Sequence, residues 1–122
     1  MKIAIPATDQ TLEATVDPRF GRCRYFLIVD TDTMDFHAVP NLAERAGKGA
    51  GVQASQIVSN EGVGAVIGSN FGPNAYTALK YAGIKVYNGT GAISDVITKF
   101  KNSELQELSE SNVPKNAGQF NG

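Results

Sequence analysis

The chain has 122 residues, 42% of them hydrophobic and 19% charged, a size that suits one domain around one core and excludes a multidomain enzyme. Eleven Lys and Arg stand against 12 Asp and Glu, for a net charge of −1, so no global basic field points to nucleic acid or to a membrane surface. Glycine is in excess at 13 residues, without the repeats or proline density of a collagenous or disordered chain.

Residues 2–7, KIAIPA, alternate with Ile3 and Ile5 on one face and predict a first strand. The polar stretch Thr8 to Arg22 that follows is long for a hairpin connection, and long ordered loops usually carry function. In residues 24–31, RYFLIVDT, both alternating sets are apolar, so this second strand should be covered on both faces. A turn at Asp32 to Met34 leads to a weaker strand at 35–39, which ends at Pro40 as an edge strand can. From Gly49 the period becomes helical through Ala50, Ala54, Ile57 and Val58, with Val52 off the stripe and a stop at Gly62. Residues 64–68, GAVIG, form a short apolar strand. Pro73 then opens a second helix with a stripe of Ala75, Ala78, Leu79 and Ala82, and Gly83 closes it. A strand at 84–87 is followed by a third helix with Ile93, Val96, Ile97 and Phe100 on one face and Asp95 in its first turn.

This order predicts a single α/β domain over residues 1–102: a five-stranded mixed sheet, order 3-2-1-4-5, with strand 2 antiparallel and helices on both faces. Residues 103–122 read as a polar extension, a short helix followed by a tail that is mobile from residue 112. The lone cysteine, Cys23, cannot form an intramolecular disulfide or complete a metal site alone, and the N-terminus lacks a signal-peptide pattern. A soluble cytoplasmic protein is expected.

Parallel strands 1, 3, 4 and 5 would bring the loops at about 8–22, 40–50, 69–73 and 88–92 to one end of the sheet, where strands 1 and 4 diverge and ligands commonly bind. Seven glycines fall in those loops: Gly21, Gly47, Gly49, Gly51, Gly72, Gly89 and Gly91. All four arginines, Arg19, Arg22, Arg24 and Arg45, lie in or beside the first two loops, with Lys48 among the glycines. Three of the loops run into helix N-termini, whose N–H groups favour anions. The rim therefore reads as an anion receptor. It is neither a Walker A loop nor a dinucleotide fingerprint. His37, the only histidine, falls in the edge strand at the surface. The strand order is shared with ribonuclease H, but the carboxylates that a two-metal nuclease requires are missing from the strand ends.

The strings VDPRFGR (16–22), GAGVQA (49–54), GSNFGPNA (68–75) and GIKVY (83–87) resemble the dinitrogenase iron–molybdenum cofactor biosynthesis family, which includes NifX-type proteins and the C-terminal region of NifB. The resemblance covers about residues 1–100 and implies a ribonuclease H-like fold. It also implies binding of the iron–molybdenum cofactor, its precursors or related metal–sulfide clusters, without catalysis. Carried over by position, the binding loops comprise Asp17, Arg19, Phe20, Gly21 and Arg22, then Gly49 and Gly51, then Asn70, Gly72 and Asn74. Many relatives place a histidine before the glycine pair of the second loop; this chain has Lys48. A sulfur-saturated anionic cluster could then be held by amides, Arg19, Arg22 and Lys48, with Cys23 an optional metal ligand. The expectation is a non-catalytic carrier of such a cluster that meets cofactor-assembly proteins. The alternatives are a binding module or enzyme for a phosphorylated metabolite or nucleotide, and an interaction module for an assembly partner.

Overall fold

Lys2–Ala7 forms β1 at the centre of the sheet, and Ile3, Ala4, Ile5 and Ala7 are all buried because neighbours cover both faces. The computed structural model describes residues 1–113. Tyr25–Asp30 forms β2, antiparallel to β1 along its whole length, and Phe36–Pro40 forms the antiparallel edge strand β3. As its two apolar sets require, β2 buries Phe26 and Ile28 toward one face and Leu27 and Val29 toward the other. Ala50–Asn60 forms α1, Ala65–Gly68 β4, Pro73–Tyr81 α2, Lys85–Asn88 β5 and Ile93–Lys101 α3. β4 runs parallel to β1 and β5 parallel to β4.

Two cores sandwich the sheet. On one face α1 and α2 bury Ala54, Val58, Ala75 and Leu79 against Ala4, Phe26, Val66 and Val86. On the other, α3 buries Ile93, Val96 and Ile97 against Ile3, Ile5, Ala65 and Ile67. The sheet order is β3-β2-β1-β4-β5-β6, so the predicted order holds and a sixth strand joins it. That strand, Gln106–Glu107, corrects the expected short helix: the chain after α3 pairs antiparallel to β5 because the outer edge of β5 still has backbone groups to satisfy. The Leu108 N–H donates to the Val86 carbonyl, and the Tyr76 hydroxyl reaches over from α2 to the Leu108 carbonyl at 3.0 Å. Asn112, expected in the mobile tail, is pinned by three hydrogen bonds to Ser69 and Phe71. The rest of that predicted tail, residues 114–122, lies outside the described residues. Among those described, no helix is long and apolar enough to cross a membrane.

Candidate functional site

The crevice between β1 and β4 begins where their pairing stops. Ile3 and Ala4 pair with Ala65 and Val66, whereas β2 follows β1 as far as Ala7. Pro6 stands at the divergence and has no N–H to offer β4. The loop after β1 folds back into this gap. The Asp17 N–H donates to the Pro6 carbonyl at 2.9 Å, Val16 bridges Ala7, and the Val16 N–H reaches the Gly91 carbonyl at 2.8 Å. The switch-point crevice, expected to be open, is therefore filled by the chain's own residues 15–17.

The residues after that insertion divide between core and surface. The Asp17 carboxylate, 8% exposed, accepts the Arg19 backbone N–H at 2.9 Å and holds the Arg19 guanidinium at 3.5 Å, leaving Arg19 54% exposed. A 3-10 turn at Phe20–Arg22 drops Phe20 into the core, its ring 5.3 Å from Phe26 and 5.2 Å from Phe71. Phe20 is thus an anchor for the loop and does not face the mouth. Cys23 is fully buried behind it, its thiol toward the Phe20 carbonyl at 3.4 Å. Burial, and secondarily the Asp17 charge, push this thiol far above the ordinary range, so it is held as the neutral S–H. A thiolate ligand on the rim does not fit that position.

Asn41, which sequence reasoning missed, stitches the first loop to the second. It is buried, donates from Nδ2 to the Gly21 and Cys23 carbonyls at 3.1 and 2.9 Å, and accepts the Ala43 N–H. Arg22 sews in the other direction, donating to the Glu44, Ala46 and Gly47 carbonyls. An Asn directly after Pro40 and ahead of a glycine-rich loop was the available signal, but its partners lie 18 and 20 positions away. In the third loop, the exposed Asn70 donates to the Pro18 carbonyl at 2.8 Å, so it braces the first loop.

α1 starts after Gly49, whose φ of 75° is left-handed, and α2 starts after Gly72 with Pro73 in its first turn. No side chain caps either helix. Among the described residues, no carbonyl takes the N–H of Ala50, Gly51 or Val52, nor that of Asn74 or Ala75. β3 and β4 run in the same direction as β1, so both helices begin at the end of the sheet where β1 and β4 diverge; at this mouth Arg19, Lys48, Val52 and Asn74 are exposed, whereas Ala50, Gly51 and Ala75 are buried. The third N-terminus differs from expectation: the Ile93 and Ser94 N–H groups are taken by the Ala14 and Leu12 carbonyls. Gly89 is likewise a packing residue, since a Cβ there would meet the Ile67 Cγ2 at 2.6 Å. Of the four loops at this end, the fourth is therefore taken up by packing and main-chain hydrogen bonds. A separate cavity of about 260 Å³ lies on the α3 side between Asn88, Thr90, Lys99 and Glu104.

The mouth offers N–H donors and cations. Among the described residues, no group of three or more His, Cys, Asp or Glu is placed to hold a metal ion. His37 meets Glu61 at 3.0 Å at the far end of α1.

The family model described as dinitrogenase iron–molybdenum cofactor matches residues 1–103. The chain belongs to this family. An uncharacterized protein from Methanocaldococcus jannaschii is 34% identical over 112 residues, covering 88% of this chain and 92% of the relative. The apo form of the orange protein from Desulfovibrio gigas superposes with a TM-score of 0.88 at 33% identity, over 91% of this chain and 95% of that one. A Thermotoga protein described as a candidate NifB gives a TM-score of 0.77 at 36% identity, over 88% and 93% of the two chains. Both solved structures thus share this arrangement of sheet and helices over 88% or more of the present chain.

Proposed function

We propose that this protein is a non-catalytic carrier of an anionic metal–sulfide cluster or its thiometallate precursor, held at the mouth between α1 and α2 and passed on to cofactor-assembly proteins. The observation that carries this reading is the pair of uncapped helix N-termini behind Gly49 and Gly72 at one end of the sheet, with exposed Arg19 and Lys48 in the loops of that end. Family membership and the likeness to an orange protein described as an apo form support this class of anion. A thiometallate has its metal already coordinated by sulfide, so the protein supplies outer contacts. The amides of exposed Val52 and Asn74 are the donors within reach of the anion, Arg19 and Lys48 neutralise it, and Asn70 braces the walls. Cys23 is buried and neutral and His37 is remote, so neither faces the mouth, which supports a binding role.

Anaerobic reconstitution with iron, molybdate and sulfide, followed by desalting and metal analysis, tests the reading. Co-eluting molybdenum with charge-transfer absorbance is expected. A protein that retains neither, while inorganic phosphate or a nucleotide raises its melting temperature, would replace the carrier with a phosphate-binding module.

A further inference from the structure

We propose that Arg22 does not contact the anion but is a positioning residue: it latches the second loop, Asn41–Gly49, so that the first turn of α1 opens onto the mouth. This rests on the carrier reading above and refines the assignment of one of its residues.

Three features of the loop carry the inference. The guanidinium is already engaged. Nη1 donates to the Glu44 carbonyl at 3.3 Å and to that of Ala46, and Nη2 donates to the Gly47 carbonyl at 3.0 Å. Its charge is thereby directed into three carbonyl dipoles of its own chain. Arg19, by contrast, is 54% exposed and touches its carboxylate only at 3.5 Å.

Second, little else holds the far half of the loop. The near half is fixed by Asn41 and by the Glu44 N–H to Asn41 and Ala46 N–H to Ala43 bonds. Beyond Ala46, a Cβ at Gly47 or Gly49 would meet nothing within 4 Å, so side-chain packing contributes nothing there. Among the described residues, apart from the bond that Gly49 accepts from Gln53 of α1, the one hydrogen bond between this far half and the rest of the fold is the bond from Arg22 to Gly47.

Third, the latch sits two residues before the point that aims the helix. Gly49, at φ 75°, turns the chain from the loop into α1, and its carbonyl accepts the first helical bond from Gln53 at 2.9 Å. If the Gly47 carbonyl is released, the φ and ψ angles of Gly47 and Gly49 are free, and the amides of Ala50 to Val52 lose their fixed direction. A planar fork with parallel donors matches three convergent carbonyls, and an ammonium on a flexible stem does not.

The charge-preserving variant Arg22→Lys separates latch from contact. In the protein without added anion, trypsin cleavage after Arg45 and Lys48 is read by mass spectrometry. Tetrathiomolybdate retention through a desalting column is then measured on the same preparations. The wild type should resist cleavage, Arg22→Lys should be cut about tenfold faster, and its retention should fall about tenfold, on the scale of one or two lost hydrogen bonds to a charged donor. Rapid cleavage of the wild-type loop overturns the latch without recourse to any variant. So does an Arg22→Lys protein cut at the wild-type rate. An opened loop with undiminished retention overturns the positioning role. If the wild type retains no tetrathiomolybdate, the carrier reading falls, and the positioning role toward an anion falls with it, whatever the trypsin result says of the latch.

Discussion

At the scale of single residues, the mouth is built by division of labour between neighbours that look alike in sequence. Arg19 and Arg22 flank Phe20 and Gly21 symmetrically, yet one is exposed and the other bonded to backbone. Replacing Arg19 with Ala removes a cation that solvent screens, so retention of tetrathiomolybdate should fall by about tenfold, the effect of one charge-assisted contact. Equilibrium dialysis at fixed salt measures this, and an unchanged affinity would move the anion away from the first loop. Cys23 gives a second, independent handle. Its thiol is raised in the folded protein by burial and by Asp17, while the unfolded chain ionises near the ordinary value of about 8.5. Below that pH both states carry the S–H and stability is unaffected. Above it the unfolded state gains the thiolate while the fold cannot, so stability falls with rising pH by up to about 1.4 kcal/mol per unit. Urea titrations at about pH 8 and 10 on wild type and Cys23→Ala check this. The variant should lack this component of the slope, although it loses some packing at both pH values. Iodoacetamide should leave the native thiol unmodified at about pH 8.

At the scale of elements, glycine positions that look equivalent in the sequence do different work. Gly49 holds a left-handed φ of 75° with open space around its Cα, so Gly49→Ala should cost about 1 kcal/mol through backbone strain alone. Gly47 has the same open surroundings without the positive φ, and Gly47→Ala should be close to neutral. Gly89→Ala fails by a third route, since its Cβ would press on buried Ile67 and Val96 and cost about 1–3 kcal/mol. Urea denaturation of the three variants should rank them Gly47, Gly49, Gly89 in rising cost; equal values would deny these separate causes. The elements themselves were legible because each carries a side-chain period. The alternation in KIAIPA, the doubly apolar β2 and the Pro73-to-Gly83 punctuation give β1, β2 and α2 almost to the residue. The sixth strand was not legible, because Gln106 and Glu107 pair through their backbone at an edge and are both exposed. Nor was the insertion of residues 15–17 beside β1, which depends on main-chain bonds to Pro6 and Gly91. The candidate site follows the same rule. Cations and glycines could be collected from sequence, but sorting contact from anchor required knowing that Phe20 points inward and that Arg22 spends its donors on carbonyls.

At the scale of the molecule, charge is distributed against its own total. Asp17 to Arg24 and Asn41 to Gly49 carry five cations and two carboxylates, net +3, on a chain whose net charge is −1. The remainder of the protein therefore repels a multivalent anion while one end attracts it, which favours approach along a single direction. Two kinds of interaction then act at different ranges. The cations reach out over a Debye length, about 10 Å at 0.1 M salt and about 3 Å at 1 M. The amides of α1 and α2 act only at contact, where little electrolyte intervenes. Salt should consequently slow arrival far more than it speeds departure. Raising sodium chloride from about 0.05 to 0.5 M should lower the association rate constant of tetrathiomolybdate about tenfold while changing the dissociation rate by less than about twofold. Stopped-flow absorbance resolves the two. A dissociation rate that carried the whole salt effect would mean that the cations, and not the helix amides behind Gly49 and Gly72, form the seat of the anion.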